Sequence, residues 1–153
     1  MGEVEWVDLS PYWSEMERLA EERSDPTSGY AWTRRWSPKS HFYGLLGEKC
    51  FSVFSGESVD TRLLREGDDG TDFEGVDVKT STFVADPILK HPVWAKRWAP
   101  RYVLSVLDVG DRRGGLVGWS TGQELRDGAV KNFGYGDQRC LLSDQLRSMG
   151  SWG

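Results

Sequence analysis

Residues 67–82, which read GDDGTDFEGVDVKTST, restrict the fold of this chain more than any other segment. The pair Glu74-Gly75 favours a tight two-residue turn. Residues 76–83 then alternate apolar and polar side chains, which is typical of a strand with one buried face. The segment therefore predicts a β-hairpin in which a short strand ending at Phe73 precedes a longer one.

The predicted hairpin brings charged side chains together. With a two-residue turn, Phe73 pairs with Val76, and Asp72 pairs with Asp77. Directly opposed residues of an antiparallel pair have Cβ atoms about 4.5–5.5 Å apart, so the two carboxylates would repel each other unless a cation lay between them. Because side chains alternate along a strand, Lys79 lies on the same face as Asp77.

Two carboxylates beside a lysine suit a metal-dependent hydrolase. Mg²⁺ prefers oxygen ligands and is typically held by one or two carboxylates together with substrate phosphates. Such a metal polarises a phosphoryl oxygen and generates hydroxide, while an ammonium group orients water or neutralises developing charge. The pattern thus favours phosphodiester hydrolysis. The alternative is an exposed hairpin with solvated acids and Lys79 as their counter-charge.

Asp72, followed after the turn by Asp77-Val78-Lys79, resembles the signature of the PD-(D/E)XK nuclease superfamily, and the run is similar to its small phage and prokaryotic members. The chain lacks the proline that precedes the first aspartate in the superfamily's name, a position that varies widely. The resemblance implies cleavage of nucleic acid with Mg²⁺, for which Mn²⁺ would substitute. It implies Asp72, Asp77 and the carbonyl of Val78 as ligands and Lys79 as the catalytic lysine, with DNA as the expected substrate of an endonuclease.

The resemblance covers about residues 40–127 and implies an α/β (α+β) domain with a restriction-endonuclease-like core, a central mixed sheet flanked by helices. The run Gly44–Glu48 resembles the first core helix, which often carries a metal-site glutamate, so Glu48 is a candidate ligand and catalytic residue. Residues 102–107 and 116–119 resemble the remaining core strands. We expect one domain over residues 1–153, with an N-terminal helix and a C-terminal extension packed on the core.

The first acidic ligand depends on the register of the hairpin. A bulge at the turn would shift the pairing by one residue, and a different acid would then face Asp77. Asp68 and Asp69 are close enough in sequence to take that place. We favour Asp72 and leave Asp69 as the alternative.

The role of Glu48 has a competing interpretation. On a helical wheel Glu48 falls outside the centre of the apolar stripe, as a solvent-facing glutamate would. The stripe consists of Phe42, Leu45, Leu46, Cys50, Val53 and Phe54. Gly44 and Gly47 lower helix propensity, and close packing of the backbone beside Glu48 would explain them.

The net charge of −5 disfavours a nucleic-acid partner at first sight, because phosphate binding uses Lys and Arg. Charge is unevenly distributed, however. Residues 57–77 hold eight acids against two arginines, whereas residues 84–113 hold six basic residues against three acids. An acidic metal site beside a basic stretch suits a nuclease. Solvated loops are the alternative. The candidate nucleic-acid-binding residues are Arg34, Arg35, Lys90, Lys96, Arg97 and Arg101.

The other elements are predicted more coarsely. Residues 11–24 form a helix with Trp13, Met16, Leu19 and Ala20 on its apolar side, and a second helix runs from about residue 40 to 54 and ends at Gly56. Residues 25–39 form a loop in which arginines lie between tryptophans. Residues 86–100 are an irregular excursion, and 102–107 form a central strand. A capping box at residues 120–124 starts a helix to about residue 126. The remainder is glycine-rich until a short helix over residues 143–149.

Length and composition limit the class of protein. At 153 residues the chain can bury a sizeable core. Cys50 and Cys140 lack a zinc or disulfide pattern and are expected to be reduced thiols. No apolar run approaches the roughly 18 residues of a membrane span, so we expect a soluble, cytoplasmic protein without a membrane partner, and the resemblance extends this to a phage-infected host. A homodimer would let two sites cut both strands, but the sequence reveals no interface.

Other chemistries fit less well. His41 and His91 lack zinc-ligand spacing, and Gly118–Gly122 matches a nucleophile elbow but no histidine follows Ser120. The second function that we consider is a nucleic-acid-binding or scaffold protein that keeps the fold without cleaving. The retained acids and Lys79 favour catalysis over that alternative.

Overall fold

The computed structural model describes residues 4–24, 38–59 and 73–153. This part of the chain forms three α-helices and two β-sheets, so the protein belongs to the mixed α+β class. The elements, in chain order, are β1 (Val7–Asp8), α1 (Trp13–Ser24), α2 (Pro38–Ser55), β2 (Val76–Ser81), β3 (Ile88–Pro92), β4 (Arg101–Asp108), β5 (Arg113–Thr121), α3 (Gly122–Arg126), β6 (Ala129–Asn132) and β7 (Asp137–Leu142).

The main sheet has four strands in the order β1-β5-β4-β2. Strands β2 and β4 are parallel, while β4–β5 and β5–β1 are antiparallel, so the sheet is mixed, as predicted. All six residues from Tyr102 to Leu107 are buried. The prediction of a central strand covered on both faces is therefore confirmed, because continuous apolar sequence is what such a strand requires.

Helices α1 and α2 cover one face of the main sheet. The predicted apolar side of α1 is buried against Leu45, Leu46 and Cys50 of α2. Phe51 of α2 is also buried and packs on Val76, Val78 and Val103 of the sheet. We call the side of β2 and β4 that receives Phe51 the helix-packed face.

The predicted stripe of α2 was wrong at its end. Val53 and Phe54 are 45% and 46% exposed, whereas Glu48 and Phe51 are buried. A single stripe is a poor description of α2, because the helix packs between α1 and the main sheet and is buried on more than one side. Its end was predicted correctly: Gly56 has a φ of +79° and donates its N–H to the carbonyl of Ser52.

The opposite face of the main sheet is covered by a second sheet, in the order β3-β7-β6, and by the short helix α3. Leu89, Leu125 and Leu141 pack there against Tyr102 and Leu104 of β4. The prediction for this region was wrong, since residues 86–100 contain a strand rather than only irregular chain, and residues 129–142 form a hairpin. Among the described elements, α1 and α2 thus cover one face of the main sheet, whereas α3 and the second sheet together cover the other face.

The C-terminal segment is not the predicted helix over residues 143–149. It forms two short 3-10 turns, Ser143–Gln145 and Met149–Ser151. Trp152 then packs edge-on against Phe51 and Trp119, with ring centroids 5.4 and 5.2 Å apart. These aromatic contacts hold the extension on the domain, because they reach the buried residues beneath it.

Two further observations concern the class of protein. None of the described helices combines the length and the apolar content that crossing a membrane requires. Cys50 and Cys140 are both free and buried, and burial raises the pKa of the Cys50 thiol to about 12.

Candidate active site

The hairpin turn has the predicted geometry. Phe73 and Val76 exchange both backbone hydrogen bonds, each with an N···O distance of 3.0 Å. Gly75 has a φ of +71°, a conformation that glycine adopts without steric cost. The two-residue turn and its Phe73–Val76 pair are therefore confirmed. Asp68, Asp69 and Asp72 lie outside the described residues, so the opposition of Asp72 and Asp77 stays a prediction.

Asp77 and Lys79 form an ion pair on one face of β2. Lys79 Nζ lies 3.0 Å from Asp77 Oδ2, and the two side chains are 32% and 14% exposed, the lysine being the more exposed. Val76 and Val78 lie on the helix-packed face and are buried. The alternation that the sequence predicted is thus confirmed at all four positions. We call the side of β2 that carries Asp77 and Lys79 the charged face.

Tyr102 lies beside Asp77 on the charged face. In the parallel register of β2 and β4, Asp77 is the partner of Tyr102. The Tyr102 hydroxyl accepts a hydrogen bond from the backbone N–H of Ala99 at 2.9 Å. Burial raises the pKa of this hydroxyl, so it stays protonated. Tyr102 is therefore an uncharged neighbour of the ion pair.

His91 of β3 is a further neighbour of the Asp77–Lys79 ion pair. Its ring contacts Trp98 and Tyr102 at centroid distances of 4.6 and 5.3 Å. His91 Nε2 lies 3.1 Å from the carbonyl oxygen of Arg97. Because a carbonyl can only accept, Nε2 carries the hydrogen, and Nδ1 presents a lone pair that is buried without a partner among the described residues.

The charge state of His91 follows from its environment. Burial lowers the pKa of His91, and the positive charge of Lys79 lowers it further, while the carbonyl of Arg97 and the charge of Asp77 oppose the shift. The imidazole is therefore neutral at neutral pH. Neither His91 nor Tyr102 was predicted as a site residue. The approach of His91 to Asp77 depends on β3, which was not predicted, and that of Tyr102 depends on the parallel register of β2 and β4.

Glu48 is buried, with 6% of its surface exposed, so the solvent-facing alternative is excluded. Its neighbour Gly47 packs directly on the side chains of Thr80 and Ser105, which a Cβ atom at position 47 would meet. The predicted close packing is confirmed for Gly47 but not for Gly44, where a Cβ atom would have no described atom within 4 Å. Helix α2 thus lies on the helix-packed face of β2, whereas Asp77 and Lys79 project from the charged face of the same strand.

The described ranges contain only some of the predicted metal ligands. Within residues 4–24, 38–59 and 73–153, no three His, Cys, Asp or Glu side chains come together as a metal site. These ranges contain Asp77 and the backbone carbonyl of Val78 on β2, and the buried carboxylate of Glu48 on α2, which packs on the helix-packed face. These oxygen donors fit a hard divalent cation. A site with Asp77 and Asp72 would draw its second carboxylate from the part of the chain outside those ranges.

The predicted nucleic-acid-binding residues have different surroundings. Lys96 and Arg97 are exposed, and Lys90 Nζ lies 4.4 Å above the ring centroid of Phe133. Arg101 packs on Trp152, with its guanidinium carbon 3.7 Å from the ring centroid, and donates to the carbonyl of Gly153. Arg101 therefore has a structural role, and its part in nucleic-acid binding stays a prediction. Arg34 and Arg35 lie outside the described residues.

The sequence matches no protein-family model, no curated protein and no solved structure. The functional interpretation therefore depends on the chain's own residues.

Proposed function

We propose that this protein is a Mg²⁺-dependent nuclease of the restriction-endonuclease-like kind that hydrolyses phosphodiester bonds, with DNA as its substrate and endonucleolytic cleavage as its mode. The catalytic residues are Asp72, Asp77, Lys79 and Glu48, and the metal ligands are Asp72, Asp77, Glu48 and the carbonyl of Val78. Mn²⁺ substitutes for Mg²⁺.

The observation that carries the proposal is the geometry of Asp77 and Lys79. The two side chains lie 3.0 Å apart on one face of β2 and are partly shielded from solvent. A structural ion pair of this exposure contributes only about 0–1 kcal/mol to stability. Stability alone therefore explains little about why the strand bears these two charges.

The residues act in distinct ways in the proposed reaction. When bound, the metal ion supplies Lewis acidity and lowers the pKa of a water molecule. Asp77 contributes negative charge that favours a cation at the strand. Lys79 donates hydrogen bonds to the attacking water or to a phosphate oxygen, on which charge increases as the bond breaks. Tyr102 and the ring of His91 are uncharged neighbours of the pair.

The order of elements also supports a restriction-endonuclease-like core. Helix α2 precedes the hairpin strand β2, and β2 pairs in parallel with β4 in a mixed sheet. Glu48 is buried on that helix, at the position where the resemblance implies a glutamate. The second sheet on the opposite face is an addition to the core that the resemblance implies.

The competing function is a nucleic-acid-binding or scaffold protein that does not cleave. In that case the Asp77–Lys79 pair would be an ordinary partly exposed ion pair, and the basic residues near β3 would carry the binding function. The two functions make different predictions for the same preparation of the protein.

Supercoiled plasmid distinguishes them. We expect the full chain to convert it to nicked or linear DNA with Mg²⁺ or Mn²⁺, and not with EDTA or Ca²⁺, which ordinarily supports binding better than hydrolysis. Gel electrophoresis measures the conversion, and Asp77→Asn is the control for a contaminating nuclease. Binding without nicking in any of these metals, on plasmid, linear duplex and single-stranded DNA, would contradict the proposed activity and support the scaffold.

A further inference from the structure

Aromatic side chains lie at one end of the β3-β7-β6 sheet, in the turn after β3 and in the turn between β6 and β7. Trp94 and Tyr135 are 67% and 60% exposed. The rings of Phe133 and Tyr135 are stacked, with centroids 6.3 Å apart and an interplanar angle of 23°. Lys90 Nζ lies 4.4 Å from the Phe133 centroid and 5.1 Å from that of Tyr135. We call Lys90, Trp94, Phe133 and Tyr135 the aromatic platform.

Backbone contacts hold the two parts of the aromatic platform together. The N–H of Val93 donates to the carbonyl of Asp137 at 3.1 Å, which extends the pairing of β3 and β7 up to Trp94. The indole nitrogen of Trp94 then lies against Gly136, 3.8 Å from where a Cβ atom would be. Trp94 is therefore next to the turn that carries Phe133 and Tyr135.

The charge around the aromatic platform is positive, although the chain as a whole has a net charge of −5. Residues 87–100, which contain β3 and the segment after it, include Lys90, Lys96 and Arg97 and no Asp or Glu. Residues 129–137, which include the turn between β6 and β7, add Lys131 and the exposed acid Asp137, so that basic residues outnumber acids by four to one in the two segments. Such a surface is complementary to a polyanion with flat apolar groups, and this combination describes nucleic acid with unpaired bases.

The aromatic platform adjoins the candidate active site. Lys90 and His91 are consecutive residues of β3, so their side chains emerge on opposite faces of that strand. His91 contacts Tyr102, which is the register partner of Asp77. Strand β3 is at the edge of its sheet. A β-strand is about 5 Å wide. A nucleic-acid chain bound at the charged face would therefore reach the aromatic platform by passing over β3 alone.

We infer that the aromatic platform binds a single-stranded segment of nucleic acid, with bases stacked on Trp94 and Tyr135 and a phosphate near Lys90. The connection between this binding and cleavage rests on the proposed function. If both hold, the substrate of the nuclease contains unpaired nucleotides beside the scissile bond. Stacking of this kind is tolerant of base sequence, because every base has a π-face.

Binding is tested without cleavage by fluorescence anisotropy of labelled oligonucleotides in EDTA. We expect the full chain to bind single-stranded DNA more tightly than a duplex of the same length, and to bind an abasic strand of equal charge weakly. Trp94→Ala and Tyr135→Ala should each weaken single-strand binding about five- to a hundredfold, as expected for the loss of one stacked base. Trp94→Phe should restore part of the affinity.

Phe54→Ala is the matched control, since Phe54 is also an exposed aromatic residue but lies on α2, which packs on the helix-packed face. It should leave binding unchanged. Equal binding of the abasic strand, a preference for duplex, or full affinity in both platform variants would overturn the inference. Self-association that disappears in Trp94→Ala, with no DNA bound, would overturn it in favour of an interface between copies.

The two proposals fail separately. Single-strand binding that depends on Trp94, in a protein that never nicks DNA, would retain the aromatic platform and remove the nuclease. Nicking by a protein whose binding is unaffected by Trp94→Ala would retain the nuclease and remove the aromatic platform.

Discussion

The helix-packed face and the charged face of β2 differ sharply although they alternate along six residues. Val76 and Val78 on the helix-packed face are 3% and 7% exposed and pack with Phe51. Asp77 and Lys79 on the charged face remain partly exposed. Full burial of one valine-sized side chain contributes roughly 1.5–3 kcal/mol, whereas a partly exposed ion pair contributes about 0–1 kcal/mol.

This difference indicates that stability and chemistry are separated on one strand. Packing against α2 fixes the position of β2, so the charged face need not contribute to folding. Variants of Asp77 and Lys79 should therefore change activity and spare stability, and variants of the helix-packed face should do the reverse.

The largest effect is expected for Asp77→Ala and Lys79→Ala. Each removes a group that acts on the reacting phosphate or on its metal, so nicking of supercoiled plasmid should fall at least about 10²–10³-fold. The thermal unfolding midpoint should change little, because the ion pair is partly solvated. Initial rates and circular dichroism melting measure the two quantities.

Asp86→Ala is the control for these two variants, since Asp86 is an exposed acid just beyond the end of β2. It should retain wild-type activity. Wild-type turnover in Asp77→Ala or Lys79→Ala would place the reaction elsewhere, and unfolding of either variant would contradict the separation of the two faces.

A smaller effect is expected on stability from Gly47→Ala. The new methyl group would meet the hydroxyls of Thr80 and Ser105, which are hydrogen-bonded to each other at 2.9 Å. Overpacking of this kind costs about 1–3 kcal/mol. Gly44→Ala is the matched control, because it lies in the same helix with open space around it and should gain up to about 1 kcal/mol in helix propensity.

Urea unfolding followed by tryptophan fluorescence measures both glycine variants. Opposite signs of the two changes would locate the close contact of α2 and the sheet at residue 47. Equal stabilisation by both alanines would contradict that contact and, with it, the position of Glu48 next to β2.

The hairpin could be predicted because its information is local. The Glu74-Gly75 turn and the two-residue period of residues 76–81 determine the pairing at Phe73 and the alternation of faces. Helix α3 was predicted for the same reason, since Thr121 and Glu124 form the capping box within four residues. Asp77 and Lys79 were thus placed correctly by sequence alone.

The second sheet could not be predicted in this way. Strand β3 ends at a proline, and all four residues of β6 are exposed, so neither has the apolar pattern of a strand. They form because Leu89 and Leu141 pack against residues of β4 and α3 that are distant in sequence. The position of His91 near Asp77 depends on the same long-range packing, and no local pattern indicates it.

The smallest effect concerns the pH dependence of stability at His91, which adjoins the charged face. Burial and Lys79 lower the pKa of His91 in the folded protein below its ordinary value of about 6.5. The unfolded chain therefore binds the proton more tightly, and protonation favours unfolding. The stability contributed by the neutral imidazole is fully present above about pH 6.5 and is lost as the pH falls through the folded-state pKa.

His91→Phe tests this effect, because phenylalanine keeps a ring next to Trp98 and Tyr102 but does not titrate. The free energy of unfolding of the wild type minus that of the variant should be constant between about pH 7 and pH 8 and should decrease below about pH 6.5. Carboxylates that titrate equally in both proteins cancel in the difference. An increase of this difference at low pH would mean that the pKa of His91 is raised in the folded protein, so that the attraction of Asp77 exceeds the effects of burial and Lys79. The charged face would then attract a second cation.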